Sequence, residues 1–179
     1  MTELRLGTPN EKQKLFLADH HKYVGYGGAR GGGKSWVVRD KAKRLAMRYP
    51  GIKLLIVRRT YAELQNNHIN PLRQLLNGIA KYNGTEKTFT FPNGSTIRFQ
   101  YCARDEDLLR MQGMELDIIF IDEATQMTEY QIKQINVCIR GTNGFPKRLY
   151  MTCNPGGKGH QYIRRLLERR FTDDENPED

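Results

Sequence analysis

Gly28 to Ser35 reads GARGGGKS: four glycines, an alanine and an arginine, closed by a lysine and a serine. This matches G-x-x-x-x-G-K-[ST] at every fixed position. A loop of this kind wraps phosphates with inward-pointing backbone N–H groups, and side chains would block that approach. The following helix N-terminus adds partial positive charge. Gly28, Ala29, Arg30, Gly31, Gly32, Gly33, Lys34 and Ser35 are therefore the expected nucleotide-binding residues, with ATP as ligand. Lys34 would reach the β- and γ-phosphates and Ser35 would ligate Mg²⁺.

Binding alone is not hydrolysis, which needs a carboxylate at the metal and another at the water. Ile118 to Glu123, IIFIDE, supplies both. Four apolar residues form a strand and Asp122 emerges at its carboxyl end, where ligands bind in open α/β sheets. Asp122 would complete the Mg²⁺ shell with Ser35, and Glu123 would polarise the attacking water. Arg30 could fold over the γ-phosphate and stabilise transition-state charge. It could equally be an exposed loop arginine, and the residues alone leave both open.

Such a site needs a strand before the loop, a helix after it and a second buried strand for the acids. KYVGYGG reads as the first strand and KSWVVRDKAKRLAMRYPG as the helix, stopped at Pro50-Gly51. DIIFID is a continuous apolar run, as expected for a strand covered on both faces. KLLIV and RLYMTCN read as further strands. TFTF and TIRFQ flank an Asn-Gly turn, a hairpin signal. Thr8-Pro9-Asn10-Glu11 reads as a capping box with proline at the first helical position, opening a helix through EKQKLFLADH. A second box, Thr60 to Glu63, opens a helix expected to be interrupted near Pro71. ARDEDLLRMQG, TEYQIKQINVCIRG and GHQYIRRLLERRF read as later helices. The alternation implies an α/β fold, a mostly parallel sheet with helices on both faces and an inserted β-hairpin.

The 179 residues suit one domain. Residues 1–172 are expected to form it, followed by an acidic tail at 173–179. Net charge is +9, with five of the 20 acidic residues in that tail. The excess base favours a polyanionic partner, nucleic acid first. No apolar run approaches the roughly 20 residues that span a bilayer, and MTELRLGTPNEKQK has no secretory apolar core. Cys102, Cys138 and Cys153 lack metal spacing and are read as reduced core thiols. His20, His21, His68 and His160 form no ligand pattern.

The glycine loop with its internal arginine, IIFIDEAT and MTCNPGGKGHQYI together resemble the large terminase subunit of tailed bacteriophages. The resemblance runs from about Gln13 to Phe171 and implies an ASCE-type P-loop NTPase whose ATPase drives double-stranded DNA into procapsids. It further implies a homo-oligomeric ring on the capsid portal, a small terminase subunit as partner, and action in the host cytoplasm, with no membrane. Residue by residue, Gln13 corresponds to a glutamine that contacts adenine, and Arg30 to a loop arginine acting in catalysis. Thr152-Cys153-Asn154 corresponds to a coupling motif that senses the γ-phosphate.

Two features depart from the family. Relatives carry Arg-Gly before the acidic strand, where that arginine acts on a neighbour's ATP; here the dipeptide is Gln112-Gly113. Arg110 and Arg140 are the substitutes in reach of that role, and surface charge is an equal reading of both. Nor does any carboxylate cluster match the family's nuclease, so no DNA cleavage is expected of this chain. Candidate DNA-contacting groups are Arg39, Lys41, Lys43, Arg44 and Arg48; Arg58 and Arg59; and Arg164, Arg165, Arg169 and Arg170. Two rival functions stay open. One is another P-loop translocase or helicase-type ATPase. The other is a nucleotide-dependent DNA-binding or assembly module without turnover in isolation.

Overall fold

The computed structural model describes residues 7–28, 31 and 33–172, with the backbone alone for 169–172. Its centre is one sheet whose order is β1-β7-β6-β2-β5-β4-β3. Strands β1 (Tyr23–Gly27), β2 (Lys53–Arg58), β5 (Thr96–Tyr101), β6 (Ile118–Ile121) and β7 (Arg148–Cys153) run parallel. β3 (Lys81–Asn83) and β4 (Thr88–Thr90) extend the sheet antiparallel beyond β5. The hairpin expected from TFTF and TIRFQ is β4–β5, with Phe89 opposite Ile97. Its turn is docked: Asn93 and Ser95 side chains both donate to the Ala46 carbonyl. β3 carries no strong strand signal in sequence and forms by adding to β4.

Both sheet faces are buried, which explains the unbroken apolar runs. In β6, Ile118 and Phe120 enter one core with Leu54 and Ile56 of β2, while Ile119 and Ile121 enter the other with Leu55 and Val57. The first core is covered by α1 (Glu11–Ala18), α2 (Lys34–Arg48) and the helical stretch α3 (Tyr61–Leu64) to α4 (Asn70–Leu75). The second is covered by the 3₁₀ segment Asp105–Met111, α5 (Glu129–Asn136) and α6 (His160–Thr172). The segment expected as a helix through ARDEDLLRMQG is thus 3₁₀.

Three local readings are corrected. The N-cap of α1 is Asn10 rather than Thr8, in a reciprocal box with Gln13, so Pro9 lies before the helix. Thr60 caps α3 through the Glu63 N–H, but Glu63 accepts from the Thr60 hydroxyl rather than reaching its backbone. The helix is not interrupted at Pro71. It widens into a π turn at Gln65–Ile69 and continues into α4. Proline has no N–H for the Asn67 carbonyl, and the Arg39 guanidinium donates to that carbonyl instead.

Candidate functional site

The parallel register brings the carboxyl ends of four strands to one edge. Val57 pairs with Ile121, Ile121 with Met151, and Gly27 with Cys153. Arg58, Asp122, Thr152 and the glycine loop are therefore neighbours, though scattered in sequence. β7 lies between the loop strand and the acid strand.

Asp122 is fully buried and saturated with donors. Ser35 Oγ donates to its Oδ2 at 2.7 Å, Arg58 Nη1 at 2.7 Å and His68 Nε2 at 2.8 Å. Thr152 Oγ1 donates to Oδ1 at 2.5 Å. Burial alone would raise the Asp122 pKa. The hydrogen bonds from His68 and Thr152 and the charge of Arg58 outweigh burial and hold the carboxyl well below the usual carboxylate range.

His68 is completely buried, and burial drives its pKa below the ordinary imidazole value against the pull of Asp122. A neutral ring donating from Nε2 leaves Nδ1 as a bare acceptor, and Nδ1 has no partner among the described residues. The π turn is what carries this ring into the site, in keeping with the frequent use of such turns at functional positions.

Glu123 is one of two non-glycine residues with positive φ among those described, at 56°. That left-handed conformation costs on the order of 1 kcal/mol. It is held by the Glu123 N–H donating to Thr152 Oγ1 at 2.8 Å. The carboxylate is held at both oxygens: Arg58 Nη2 lies 3.2 Å from Oε1, and Gln126 Nε2 donates to Oε2 at 2.5 Å.

On the loop side, Gly33 caps α2 with φ 69°. A Cβ there would stand 2.5 Å from Gln13 Nε2. Gln13 is buried and donates to the Gly33 carbonyl at 3.4 Å while its Oε1 accepts from Asn10 N–H. Lys34 is buried and donates to the Gly28 carbonyl at 2.9 Å. Gly31 is exposed with φ 81°. Ala29, Arg30 and Gly32 lie outside the described residues, as does the acidic tail. Ser35 and Asp122 offer hard oxygen donors side by side, which suits a divalent cation of the Mg²⁺ type. Arg58 supplies positive charge at the same carboxylate, so the donor set fits the metal once Arg58 shifts.

Thr152 is fully buried, and Asn154 Oδ1 is buried with no partner among the described residues. The loop after Asn154 lies backbone to backbone on the turn after Glu123. Gly159 N–H donates to the Thr125 carbonyl at 3.0 Å, and a Cβ on Gly157 would clash with that oxygen. Of the substitute arginines, Arg110 shares the site's edge. It stacks on Tyr101 at 4.2 Å, and Tyr101 is the register partner of Arg58. Arg140 bonds Leu116 and Met114 before β6 begins, at the opposite edge from Asp122.

The basic groups behave differently from the expectation. Lys41 and Lys43 of α2 are buried; Lys43 and Arg44 pair with Asp40, and Arg39 serves Asn67. Arg58 faces the carboxylates and Arg59 is exposed. Arg164 and Arg165 are exposed but pair with Glu168 and Glu129; the side chains of Arg169 and Arg170 lie outside the described residues. Part of the charge that the sequence offered to DNA is thus taken up inside the fold, at Arg39, Lys41, Lys43 and Arg58, whereas Arg48 is exposed and lies over the Tyr49 ring. Arg58 and His68 are the site residues that sequence reading missed as such. An arginine ending a strand beside the acid strand is a usable signal; His68 has none without the π turn. The three cysteines are free, and no helix among the described residues is long and apolar enough to cross a membrane.

A family model described as phage terminase large subunit matches residues 20–179. The chain belongs to that family. Three solved terminases share its fold. The large terminase of a thermophilic bacteriophage, in complex with ATP-gamma-S, is 20% identical at TM-score 0.70, covering 90% of this chain and 42% of that one. The large terminase of bacteriophage HK97 is 12% identical at TM-score 0.72, covering 96% and 38%. The Thermus phage P74-26 large terminase ATPase domain is 14% identical at TM-score 0.62, covering 92% and 88%. This terminase chain thus spans less than half the length of the first two and most of the third. No curated protein sequence matches it. The P-loop α/β fold is as the sequence implied.

Proposed function

We propose that the chain is the Mg²⁺-dependent ATP-hydrolysing part of a terminase large subunit and drives double-stranded DNA into procapsids. The observation that carries this is the 2.7 Å bond from Ser35 Oγ to Asp122 Oδ2, with Glu123 next in the chain. It joins the hydroxyl of the phosphate loop to the acid of the second strand.

In this reading the loop N–H groups of Gly28 to Gly33 hold the phosphates, and Lys34 leaves the Gly28 carbonyl for the β- and γ-oxygens. Ser35 and Asp122 would hold Mg²⁺, which supplies Lewis-acid charge to the phosphate oxygens. Glu123 accepts a proton from the attacking water after Arg58 or Gln126 releases an oxygen. Arg58 pairs with Asp122 and Glu123 at once, so a shift of its guanidinium away from Asp122 would release Glu123 as well. Arg30, and Arg110 toward a neighbouring subunit, stabilise γ-phosphate charge; Arg140 is the less favoured trans residue because it lies at the far edge. Thr152, Cys153 and Asn154 couple the site to the rest of the motor, since Thr152 touches both acids.

Gln13 reads the base. Its amide keeps one N–H and one acceptor lone pair, which match adenine N7 and N6–H; guanine presents two acceptors there. DNA is gripped through phosphates by a ring of such chains with a small subunit, in the host cytoplasm.

Equilibrium binding of ATP-gamma-S with Mg²⁺ tests the site. Lys34→Ala is expected to lose affinity by about 100-fold or more, as removal of a β/γ-phosphate ligand should. Equal binding by wild type and variant would overturn the assignment. The closed Glu123, held at both oxygens, also favours a second reading, a nucleotide-dependent assembly module that turns over only beside a neighbour.

A further inference from the structure

We propose that Lys41 is a positioning residue for nucleotide selection, holding α1 at the register that sets Gln13 against the base. This rests on the reading of Gln13 above. Lys41 sits two turns into α2 and is 3% exposed. Its ammonium meets no carboxylate among the described residues. It donates to the carbonyls of Phe16, Leu17 and Asp19, at 3.4 Å to the first and 3.0 Å to the last. It also lies 5.2 Å from the Tyr150 ring centroid.

Those carbonyls are the C-terminal end of α1. α1 has no basic residue in its last turn, and its C-cap Asp19 is extended. Free carbonyls at a helix end need partners and carry partial negative charge. Lys41 supplies both donors and charge from a neighbouring helix. A methionine would fill the same space without the desolvation cost of a buried ammonium, so packing alone does not account for a lysine.

α1 has little else to fix it. It is eight residues long, too short to be stable alone. Only Gln13 and Phe16 are buried, and Leu15 is 73% exposed. Phe16 contacts Tyr26 and Tyr150 edge to face, each at 5.4 Å. Such contacts hold the helix down but tolerate sliding along its axis. The directional bonds are at the ends, Gln13 to Gly33 and Lys41 to the last turn, about 6 Å apart along the helix. The Tyr150 hydroxyl, donating to the Asp19 carbonyl at 3.1 Å, supports the same end. Two-point amide recognition fails with a shift of about 1 Å, so releasing the far end misplaces Gln13.

The test is equilibrium binding of ATP and GTP, each with Mg²⁺, to wild type, Gln13→Ala, Lys41→Met, Lys41→Arg and Tyr150→Phe. Wild type is expected to prefer ATP, and Gln13→Ala to bring the ratio near one. Lys41→Met should lower the preference by about tenfold while GTP affinity moves less than about threefold, because phosphate contacts persist. Lys41→Arg should keep most of the preference. If Lys41→Met does not fold, Tyr150→Phe decides, with an expected partial fall in the ratio of about threefold. Lost preference in Gln13→Ala with a wild-type ratio in Lys41→Met, or in Tyr150→Phe where that variant decides, overturns the role of Lys41. A wild-type ratio in Gln13→Ala overturns the base reading itself.

Discussion

Thr152 Oγ1 donates to Asp122 Oδ1 at 2.5 Å and accepts the N–H of the next residue, Glu123, at 2.8 Å. One hydroxyl on β7 thus fixes the Asp122 carboxylate and the left-handed backbone of Glu123 together. Thr152→Val keeps the shape and removes the hydroxyl. It leaves a buried carboxylate oxygen and a backbone N–H short of partners, at a cost of about 1–3 kcal/mol. Chemical denaturation should show that loss. Single-turnover rates should fall about 10–100-fold with ATP affinity little changed, because the phosphate loop is untouched. Thr152→Ser should recover most of both.

Arg58 bridges Asp122 and Glu123 at 2.7 Å and 3.2 Å. Arg58→Gln leaves the buried Asp122 charge without its cation, which costs on the order of 3 kcal/mol. For a chain of this size that is roughly 6–12 °C in Tm without ligand. Addition of Mg²⁺ and ATP-gamma-S should restore more Tm to the variant than to wild type. Thermal melts that show equal shifts would mean that Arg58 does not occupy the cation's place.

Burial, and then the Arg148 charge, push the Lys41 pKa down to about 8. Asp19 opposes that shift and Arg44 adds to it. Between about pH 8 and the ordinary lysine value the unfolded chain binds more protons than the folded one, so stability rises with pH there. Lys41→Met has no such term. Denaturation at pH 7 and pH 10 should show wild type gaining about 2–3 kcal/mol relative to the variant. A difference that is flat with pH would show that the ammonium is not desolvated.

Gly157 has φ 97°, and a Cβ there would clash with the Thr125 carbonyl oxygen. Gly157→Ala must move the turn that carries Glu123 or break the loop's contact with it. Expected are a stability loss of about 1–3 kcal/mol and a fall in turnover without loss of ATP binding. Gly144→Ala, where a Cβ meets nothing within 4 Å, is the control.

Much of this arrangement was legible in the sequence. The phosphate loop, Asp122 and Glu123 are local patterns, and strand–helix alternation gives the parallel sheet. What sequence could not show depends on contacts between distant segments. Arg58 reads as surface charge until β2 is placed beside β6. Lys41 and Lys43 read as a basic face until their partners, the end of α1 and Asp40, are in view. His68 enters the site only because a π turn absorbs Pro71, and periodicity carries no trace of such a turn. The N-cap moved from Thr8 to Asn10 because Gln13 makes the reciprocal bond.

As proposed, this chain hydrolyses ATP with Glu123 at the water. Steady-state ATP hydrolysis with Mg²⁺, measured against protein concentration for wild type and Glu123→Gln, tests it most directly. Turnover is expected in wild type, with a fall of about 100-fold or more in the variant and retained ATP binding in both. Specific activity rising with concentration would place an arginine from a neighbour in the reaction. A wild type that binds ATP yet turns over no faster than Glu123→Gln at any concentration would contradict the claim.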